Sequence, residues 1–338
     1  MIAPLTSLRF FAASLVVAQH YFGFSAGHAG VSFFFVLSGF VLAMNYEGKV
    51  STPEERRLFW WKRVARIYPT HLLTALLVIP ISSALFTLPL NLALLQSWVP
   101  TRTAYFSLNA PSWSISDEAF FYAVFPFLLP LVTRFRVAIW AALLLAAASA
   151  FAIFLPQPLD DQPTHFLFYI FPPTRLLEFA IGISLAKLRA DGPPLGTGSE
   201  LAAILLAAGS LAAFEFGVPG SFGSALLFIP AAIALVAVFA RSSGLFARLL
   251  SAQPLILLGD ASFMLYMLHL PLIRYLRFLP EWLVAMLAVV LSIALFWWFE
   301  KPAQKMILRY ARRRGERSRP PVTTAPEGPS QAASGGSS

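Results

Sequence analysis

Long apolar stretches recur along the whole of this 338-residue chain. A helix needs about 20 mostly apolar residues to cross about 30 Å of hydrocarbon, and ten stretches qualify or nearly qualify. They are residues 5–25, 30–46, 69–88, 114–133, 136–155, 166–187, 200–216, 222–240, 254–274 and 281–300. We therefore predict an all-α fold, a polytopic membrane helical bundle with about ten transmembrane helices.

The composition excludes a soluble globular domain. Hydrophobic residues make up 58% of the chain and charged residues only 12%, whereas soluble domains carry about 25% charged residues. The absence of cysteine excludes disulfides, iron–sulfur clusters and cysteine nucleophiles. The histidines lack ligand spacing such as H-E-x-x-H, so we expect no metal site.

The basic residues predict the orientation of the bundle. With the N-terminus in the cytoplasm, 20 of the 25 Lys and Arg residues lie in cytoplasmic segments, and the outer loops carry only Arg102, Arg274 and Arg277. Such an asymmetry is typical of membrane proteins and predicts that both termini are cytoplasmic. The net charge of +9 is thereby explained without a nucleic-acid partner.

The chain divides into a membrane region and a tail. Residues 1–302 form the predicted transmembrane domain. Residues 303–338 begin with a basic run and end in Pro, Ser, Gly and Ala, which predicts a disordered cytoplasmic tail whose basic part lies against anionic lipid. Before the third span, the segment from Leu58 to Tyr68 mixes aromatic and basic residues, which favours a helix that lies at the membrane interface and leads into the membrane.

Two ionisable residues share the first predicted span. Arg9 and His20 are 11 residues apart, so they project from one face of a helix, about 16 Å apart along its axis. Histidine can accept and return a proton near neutral pH, which makes His20 a candidate base. The alternative is that His20 only bonds a neighbouring helix and that Arg9 extends to the inner headgroups.

A carboxylate lies where the fourth span begins. Glu118 follows Trp113-Ser-Ile-Ser-Asp, and the predicted topology places it in the outer half of the bilayer with His20. A carboxylate near an imidazole can fix its tautomer. Acidic residues in a first helical turn also suit the helix dipole, so a purely structural role stays open.

Two further pairs have helical spacing. Arg63 and Arg66 lie three residues apart at the inner face, where paired guanidinium groups suit phosphate oxygens and where they also serve as positive-inside anchors. Arg175 and Glu178 are spaced to neutralise each other within the membrane. That second pair is a candidate for substrate contact or for structure alone.

Two single residues complete the candidates. His269 lies toward the outer end of the ninth span, and Glu300 ends the tenth at the cytoplasmic face. His269 could be a substrate ligand or a packed core histidine, and Glu300 a site residue or a boundary residue.

Taken in order, these residues resemble the acyltransferase-3 family of bacterial integral-membrane O-acyltransferases. Any one motif is weak, but seven in this order are specific, and together they cover about residues 5–302. They are Leu8-Arg9 with His20, Gly30–Phe40, Arg63-Val-Ala-Arg66 with Tyr68-Pro69, Trp113-Ser114 with Glu118 and Phe121-Tyr122, Arg175 with Glu178-Phe179 and Gly182, Leu265-Tyr266 with His269, and Glu300-Lys301-Pro302. In this chain, Asp117, Ala119 and Phe120 depart from the residue types common beside the glutamate.

The resemblance implies an activity and roles for residues. It implies transfer of an acyl group from acyl-CoA, commonly acetyl-CoA, on the cytoplasmic side to a hydroxyl of a glycan or other exported acceptor. By position, His20 is the catalytic base, Arg9 its companion, and Arg63 and Arg66 the arginines that handle the donor. The location implied is the bacterial cytoplasmic membrane, with the acceptor, a homo-oligomer and a partner envelope enzyme left open.

A different function explains the same buried charges. A transporter or flippase for a lipid-linked or small glycoside would also line its path with ionisable groups. Consumption of an acyl donor distinguishes the two hypotheses.

Overall fold

The computed structural model describes residues 2–24, 27–132, 165–188, 193–216 and 227–317, and this part of the chain is helical without a β-strand. The α-helices are α1 (Ala3–Phe22), α2 (Gly27–Tyr46), α3 (Pro53–Val78), α4 (Leu88–Leu92), α5 (Arg102–Tyr105), α6 (Ser112–Val132), α7 (Pro172–Leu188), α8 (Thr197–Phe216), α9 (Ile229–Phe239), α10 (Leu245–Leu250), α11 (Gln253–Tyr275), α12 (Glu281–Leu295) and α13 (Lys301–Arg317). Two π-helical segments, Phe166–Ile170 and Phe296–Glu300, precede α7 and α13.

The prediction of a polytopic helical membrane bundle is confirmed. Seven helical segments among the described residues are long and apolar enough to cross a membrane. Nine of the ten predicted spans contain a described helix. The other span, at 136–155, lies outside the described residues.

Three boundaries differ from the prediction. Helix α3 begins at Pro53, behind a capping box in which Thr52 Oγ1 accepts from the Glu55 amide at 3.2 Å, and runs unbroken to Val78. The aromatic and basic segment is therefore continuous with the third span, as expected for a segment that leads into the membrane. Helix α3 ends at Val78, ten residues before the predicted end of the third span, and the chain then returns through α4 and α5. At the other end of the chain, helix continues to Arg317, well past residue 302.

The returning segment between α3 and α6 packs inside the bundle. Its polar side chains Asn91 and Gln96 are fully buried. The Asn91 carbonyl oxygen lies 2.8 Å from His71 Nε2, and Gln96 Nε2 donates to the Ser112 carbonyl oxygen at 2.9 Å. Because its polar groups have partners inside the protein, backbone that is not helical is tolerated at this depth. The Gln96 bond holds Ser112, the first residue of α6, and the His71 contact ties α4 to α3.

Glycines bring the central helices together. A Cβ at Gly39 of α2 would meet the Phe179 carbonyl oxygen, and one at Gly182 of α7 would meet the Val36 carbonyl oxygen. Gly259 of α11 lies against the Thr6 carbonyl oxygen of α1 in the same manner. Close approach of backbones at small residues is the usual way in which membrane helices associate. Helices α1, α2, α7 and α11 therefore form a compact centre.

Candidate active site

Three cavities follow one another along α2. The outer cavity, about 280 Å³, contacts Gly27, His28 and Val31 of this helix. The inner cavity, about 130 Å³, extends from Val31 to Leu42, and a vestibule of about 510 Å³ continues beyond it. From His28 to Tyr46 the helix rises about 27 Å at 1.5 Å per residue, so the three cavities together extend across most of a hydrocarbon core. We call the vestibule side inner because it carries the basic segment of α3.

The outer cavity combines imidazole, guanidinium and aromatic groups. His20 of α1 is exposed to it, close to the end of a helix that terminates at Gly23 in the left-handed conformation. Its lining also includes Gln19, Arg102, His165, Trp113 and Tyr169. Such a mixture of flat apolar faces and hydrogen-bonding groups is typical of sites for polar organic ligands.

The hydrogen bonds of His20 determine which of its nitrogens is basic. Its Nδ1 lies 2.9 Å from the Val16 carbonyl oxygen and 3.2 Å from Nε2 of His269. A carbonyl oxygen only accepts, so Nδ1 carries the proton and Nε2 has the free lone pair. His20 can thus take a second proton on Nε2, with the Val16 oxygen and the His269 nitrogen both stabilising the proton on Nδ1.

His269 is a buried neighbour of His20 and does not line the cavities. It is inaccessible to solvent, and its ring centroid lies 5.1 Å from that of His20. The Tyr21 hydroxyl donates to the His269 carbonyl oxygen at 2.7 Å. Packing of α1 against α11 therefore supplies the second imidazole at the position where the sequence predicted Glu118.

Glu118 lies in the inner cavity, away from His20. It shares that cavity with Arg9, Arg63 and Arg66, and its Oε2 accepts from the Tyr122 hydroxyl at 2.9 Å. The expectation that Glu118 and His20 are neighbours is therefore wrong. The reason is that α6 begins inside the bundle, so its second turn reaches the inner half.

The arginines of the inner cavity are held in different ways. The Arg63 guanidinium lies over the rings of Tyr46, Phe59 and Tyr122 at 5.6–5.7 Å, which fixes its plane without neutralising it. Arg9 has no carboxylate at ion-pair distance among the described residues. The cavity therefore offers positive charge to an anionic ligand.

Arg66 is positioned by Glu300. The carboxylate of Glu300 is fully buried and forms an ion pair with Arg66. It also accepts from Thr70 Oγ1 at 3.3 Å and from Gln304 Nε2 at 2.9 Å. The π-helical segment at the end of α12 leads into α13, and π-turns are often found at functional sites. Glu300 is thus a positioning residue for Arg66.

The vestibule is basic and open. It is lined by three cations, Lys49, Lys62 and Arg63, and by one carboxylate, Glu55, which caps α3. Lys62 lies over the Tyr46 ring at 5.5 Å. The vestibule shares Arg63 with the inner cavity, along with Val41 and Leu42, so the two spaces adjoin.

The structure keeps Arg175 and Glu178 out of all three cavities. Arg175 Nη1 lies 2.9 Å from Glu178 Oε1, with both side chains almost inaccessible to solvent. Ser32 Oγ bridges the pair at 3.2 and 3.3 Å, and the guanidinium lies over Phe35 and Tyr169. These contacts tie α7 to α2 and favour the structural alternative for this pair.

Sequence reasoning missed several lining residues. Tyr122 and Tyr266 were noted only as parts of motifs, although both contact the inner cavity. Trp113 and Val31 line the outer cavity. Tyr122 could have been found from its helical spacing, because it lies four residues after Glu118. Val31 was covered only by the motif Gly30–Phe40, because an apolar residue in an apolar helix does not stand out.

The described residues contain no cluster of three or more His, Asp or Glu side chains that could hold a metal ion. An imidazole base in one cavity and cations in the adjoining one could act together on a ligand that extends through both.

Comparison with known proteins shows what this chain is similar to. A family model described as an acyltransferase domain matches residues 3–301. Acyltransferase MdmB of Streptomyces mycarofaciens is 34% identical, over 96% of this chain and 94% of its own length. Exopolysaccharide production protein ExoZ of Rhizobium meliloti is 31% identical over 73% of this chain and 76% of its own length. The putative peptidoglycan O-acetyltransferase YrhL of Bacillus subtilis is 27% identical over 80% of this chain and 48% of its own length. No solved structure matches the chain significantly.

Proposed function

Since this chain belongs to the acyltransferase-3 family and is a multi-pass membrane O-acyltransferase, we propose that it moves an acyl group from acyl-CoA on the cytoplasmic side to a hydroxyl of an exported or envelope glycan or glycoside. The acyl group is acetyl in this proposal, and the membrane is the bacterial cytoplasmic membrane. The observation that carries the proposal is the series of three cavities along α2, which links a basic inner face to His20.

The donor half of the proposal rests on charge and space. Coenzyme A carries a diphosphate and a further phosphate at one end and the thioester at the other. Lys49, Lys62 and Arg63 in the vestibule suit the phosphates. The narrower inner cavity, with Arg9 and Arg66, suits the polar pantetheine arm, which would lead the thioester toward His20.

The acceptor half rests on the outer cavity. Trp113 and Tyr169 lie with their ring centroids 4.8 Å apart, and flat aromatic faces together with Gln19 and Arg102 suit a hydroxyl-rich ligand. The relatives named above include proteins of exopolysaccharide production and, putatively, peptidoglycan O-acetylation. A glycan or glycoside acceptor agrees with both.

The chemistry follows from the tautomer of His20. Nε2 removes the proton from the acceptor hydroxyl as its oxygen attacks the thioester carbonyl carbon. The carbon–oxygen ester bond forms, the carbon–sulfur bond breaks, and the coenzyme leaves as a thiolate that takes the proton back from Nε2. The neutral base is restored, and the products are the ester and the free thiol.

We expect His20→Ala to abolish most of this turnover. Removal of a general base typically costs 10²–10⁴-fold in rate. The measurement is transfer of radiolabelled acetyl-CoA, supplied to inverted vesicles of the native membrane, into hydroxylamine-labile esters. Phe22→Ala is the matched control, because Phe22 lies on the same helix, is half exposed and lines none of the three cavities.

Two results would contradict the proposal. Full activity of His20→Ala would remove His20 as the base. A protein that moves a labelled glycolipid between leaflets and never consumes acyl-CoA would instead be a flippase.

A further inference from the structure

The outer and inner cavities meet at a wall made of two side chains. Val31 of α2 and Tyr266 of α11 line both cavities, and no other described residue does. Both are buried, with 3% and 5% of their surface exposed. Under the proposed function, the acyl group comes through the inner cavity while His20 lines the outer one. The group must therefore pass between Val31 and Tyr266, which we call the collar.

The Tyr266 ring is held from both sides. Its hydroxyl donates to the Pro111 carbonyl oxygen at 3.1 Å and lies 2.8 Å from Ser114 Oγ. Pro111 lines the outer cavity and Ser114 the inner one. The ring also meets Phe34 edge to face, with 6.1 Å between centroids. This side of the collar is thus fixed by polar and aromatic contacts together.

The Val31 side is equally stiff. A β-branched side chain has one strongly preferred rotamer in a helix. The adjacent Gly30 packs so closely that a Cβ there would meet the Ala12 carbonyl oxygen of α1, so α2 has little freedom to move away. Val31 is therefore held in place on its side of the collar.

We propose that the collar selects acyl groups by their cross-section. An unbranched acyl group enters end-on and presents one methyl or methylene at a time. An acyl group that is branched beside its carbonyl presents two methyl groups at once and passes less readily. Val31 and Tyr266 are accordingly specificity-determining residues for the donor, an assignment that rests on the proposed function.

The experiment compares three donors on the same membranes. Acetyl-CoA, propionyl-CoA and isobutyryl-CoA are each supplied to inverted vesicles of the native membrane, and kcat/KM for ester formation is measured. We expect the wild-type chain to use isobutyryl-CoA at least about 10-fold less well than acetyl-CoA, since a single methylene in an apolar site is worth about 10–200-fold.

Two substitutions change the collar in opposite directions. Val31→Ala should raise the ratio of isobutyryl to acetyl transfer about 10-fold, and Val31→Ile should lower the ratio of propionyl to acetyl transfer. Val36→Ala is the matched control, because Val36 is buried on the same helix and lines none of the three cavities. Its ratios should equal those of the wild type.

A third variant tests the collar even if Val31→Ala fails to fold. Tyr266→Phe keeps the ring but loses both hydroxyl contacts, so it should also raise the isobutyryl ratio. Active variants with wild-type ratios would overturn the collar and leave the proposed function standing, as would a wild type that accepts isobutyryl as readily as acetyl. A wild-type chain that transfers none of the three groups would overturn the proposed function and the collar with it.

Discussion

Two Arg–Glu ion pairs in the bundle have different roles. In the first, Arg175 and Glu178 are both buried and neutralise each other away from the three cavities along α2. In the second, Glu300 is buried, but the Arg66 guanidinium lines the inner cavity. An unpaired charge in lipid is costly, so each carboxylate makes its arginine tolerable. Of these two pairs, only the second leaves a cation facing a cavity.

We expect Glu300→Gln to weaken donor binding more than it slows the reaction. The glutamine can keep contacts with Thr70 and Gln304 but cannot balance the Arg66 charge, so the guanidinium loses its fixed position. A rise of about 10-fold in KM for acyl-CoA, equivalent to about 1.4 kcal/mol, with a smaller change in kcat is the expected result of steady-state kinetics.

Glu47→Gln is the matched control for this prediction. Glu47 pairs with Lys187, but both side chains are about half exposed, and exposed pairs contribute only about 0–1 kcal/mol. An equal KM effect in both variants, or a fall in kcat alone for Glu300→Gln, would contradict the positioning role.

At the scale of elements, close helix contacts decide where the site residues lie. Contact between α1 and α11 brings His20 to His269, and contact between α2 and α7 holds the helix along which the cavities extend. In each contact a glycine faces a backbone carbonyl. The hydrophobic effect gives no preference for one helix pairing in lipid, so these tight fits must provide it.

We expect Gly182→Ala to destabilise the bundle. The new methyl group would meet the Val36 carbonyl oxygen, and overpacking of this kind costs about 1–3 kcal/mol. Gly209→Ala is the matched control, because a Cβ there meets nothing within 4 Å in helix α8 and alanine is the better helix former by about 1 kcal/mol. Thermal unfolding of the purified protein in detergent should separate the two variants.

A lower unfolding temperature for Gly182→Ala than for the wild type, without such a loss for Gly209→Ala, would support the tight contact. Equal temperatures for the two variants would show that α2 and α7 can separate without cost.

At the scale of the whole molecule, the orientation of the chain across the membrane determines which cavity can receive a cytoplasmic donor. The vestibule must face the cytoplasm if it is to receive acyl-CoA. The distribution of Lys and Arg predicts this orientation, since 20 of the 25 fall in the predicted cytoplasmic segments.

We expect single cysteines to report this orientation directly. The chain has no native cysteine, so Ser51→Cys, near the vestibule, and Arg277→Cys, after α11, are each the sole thiol. Both positions are exposed. In intact cells a membrane-impermeant maleimide should label Arg277→Cys only, and Ser51→Cys should label after permeabilisation. The reverse pattern would place the vestibule outside and contradict the proposed use of a cytoplasmic donor.

The sequence by itself determined the fold class, the family and most of the ionisable candidates. Hydropathy and charge are properties of short segments, so long apolar runs, the basic asymmetry and the i, i+3 pair Arg175–Glu178 could be recognised without a structure. The position of Arg9 and His20 on one side of α1 follows from helical periodicity, and the two residues line adjoining cavities.

Only the tertiary structure decided which candidates meet. His20 contacts His269 across 249 residues of sequence, and Arg66 pairs with Glu300 across 234. Glu118, expected beside His20, lies in the other cavity because the segment before α6 packs inside the bundle. Contacts between distant helices depend on glycine fits and backbone depth, which no local pattern of the chain reveals, and these contacts bring the proposed base, the cations and the collar together along α2.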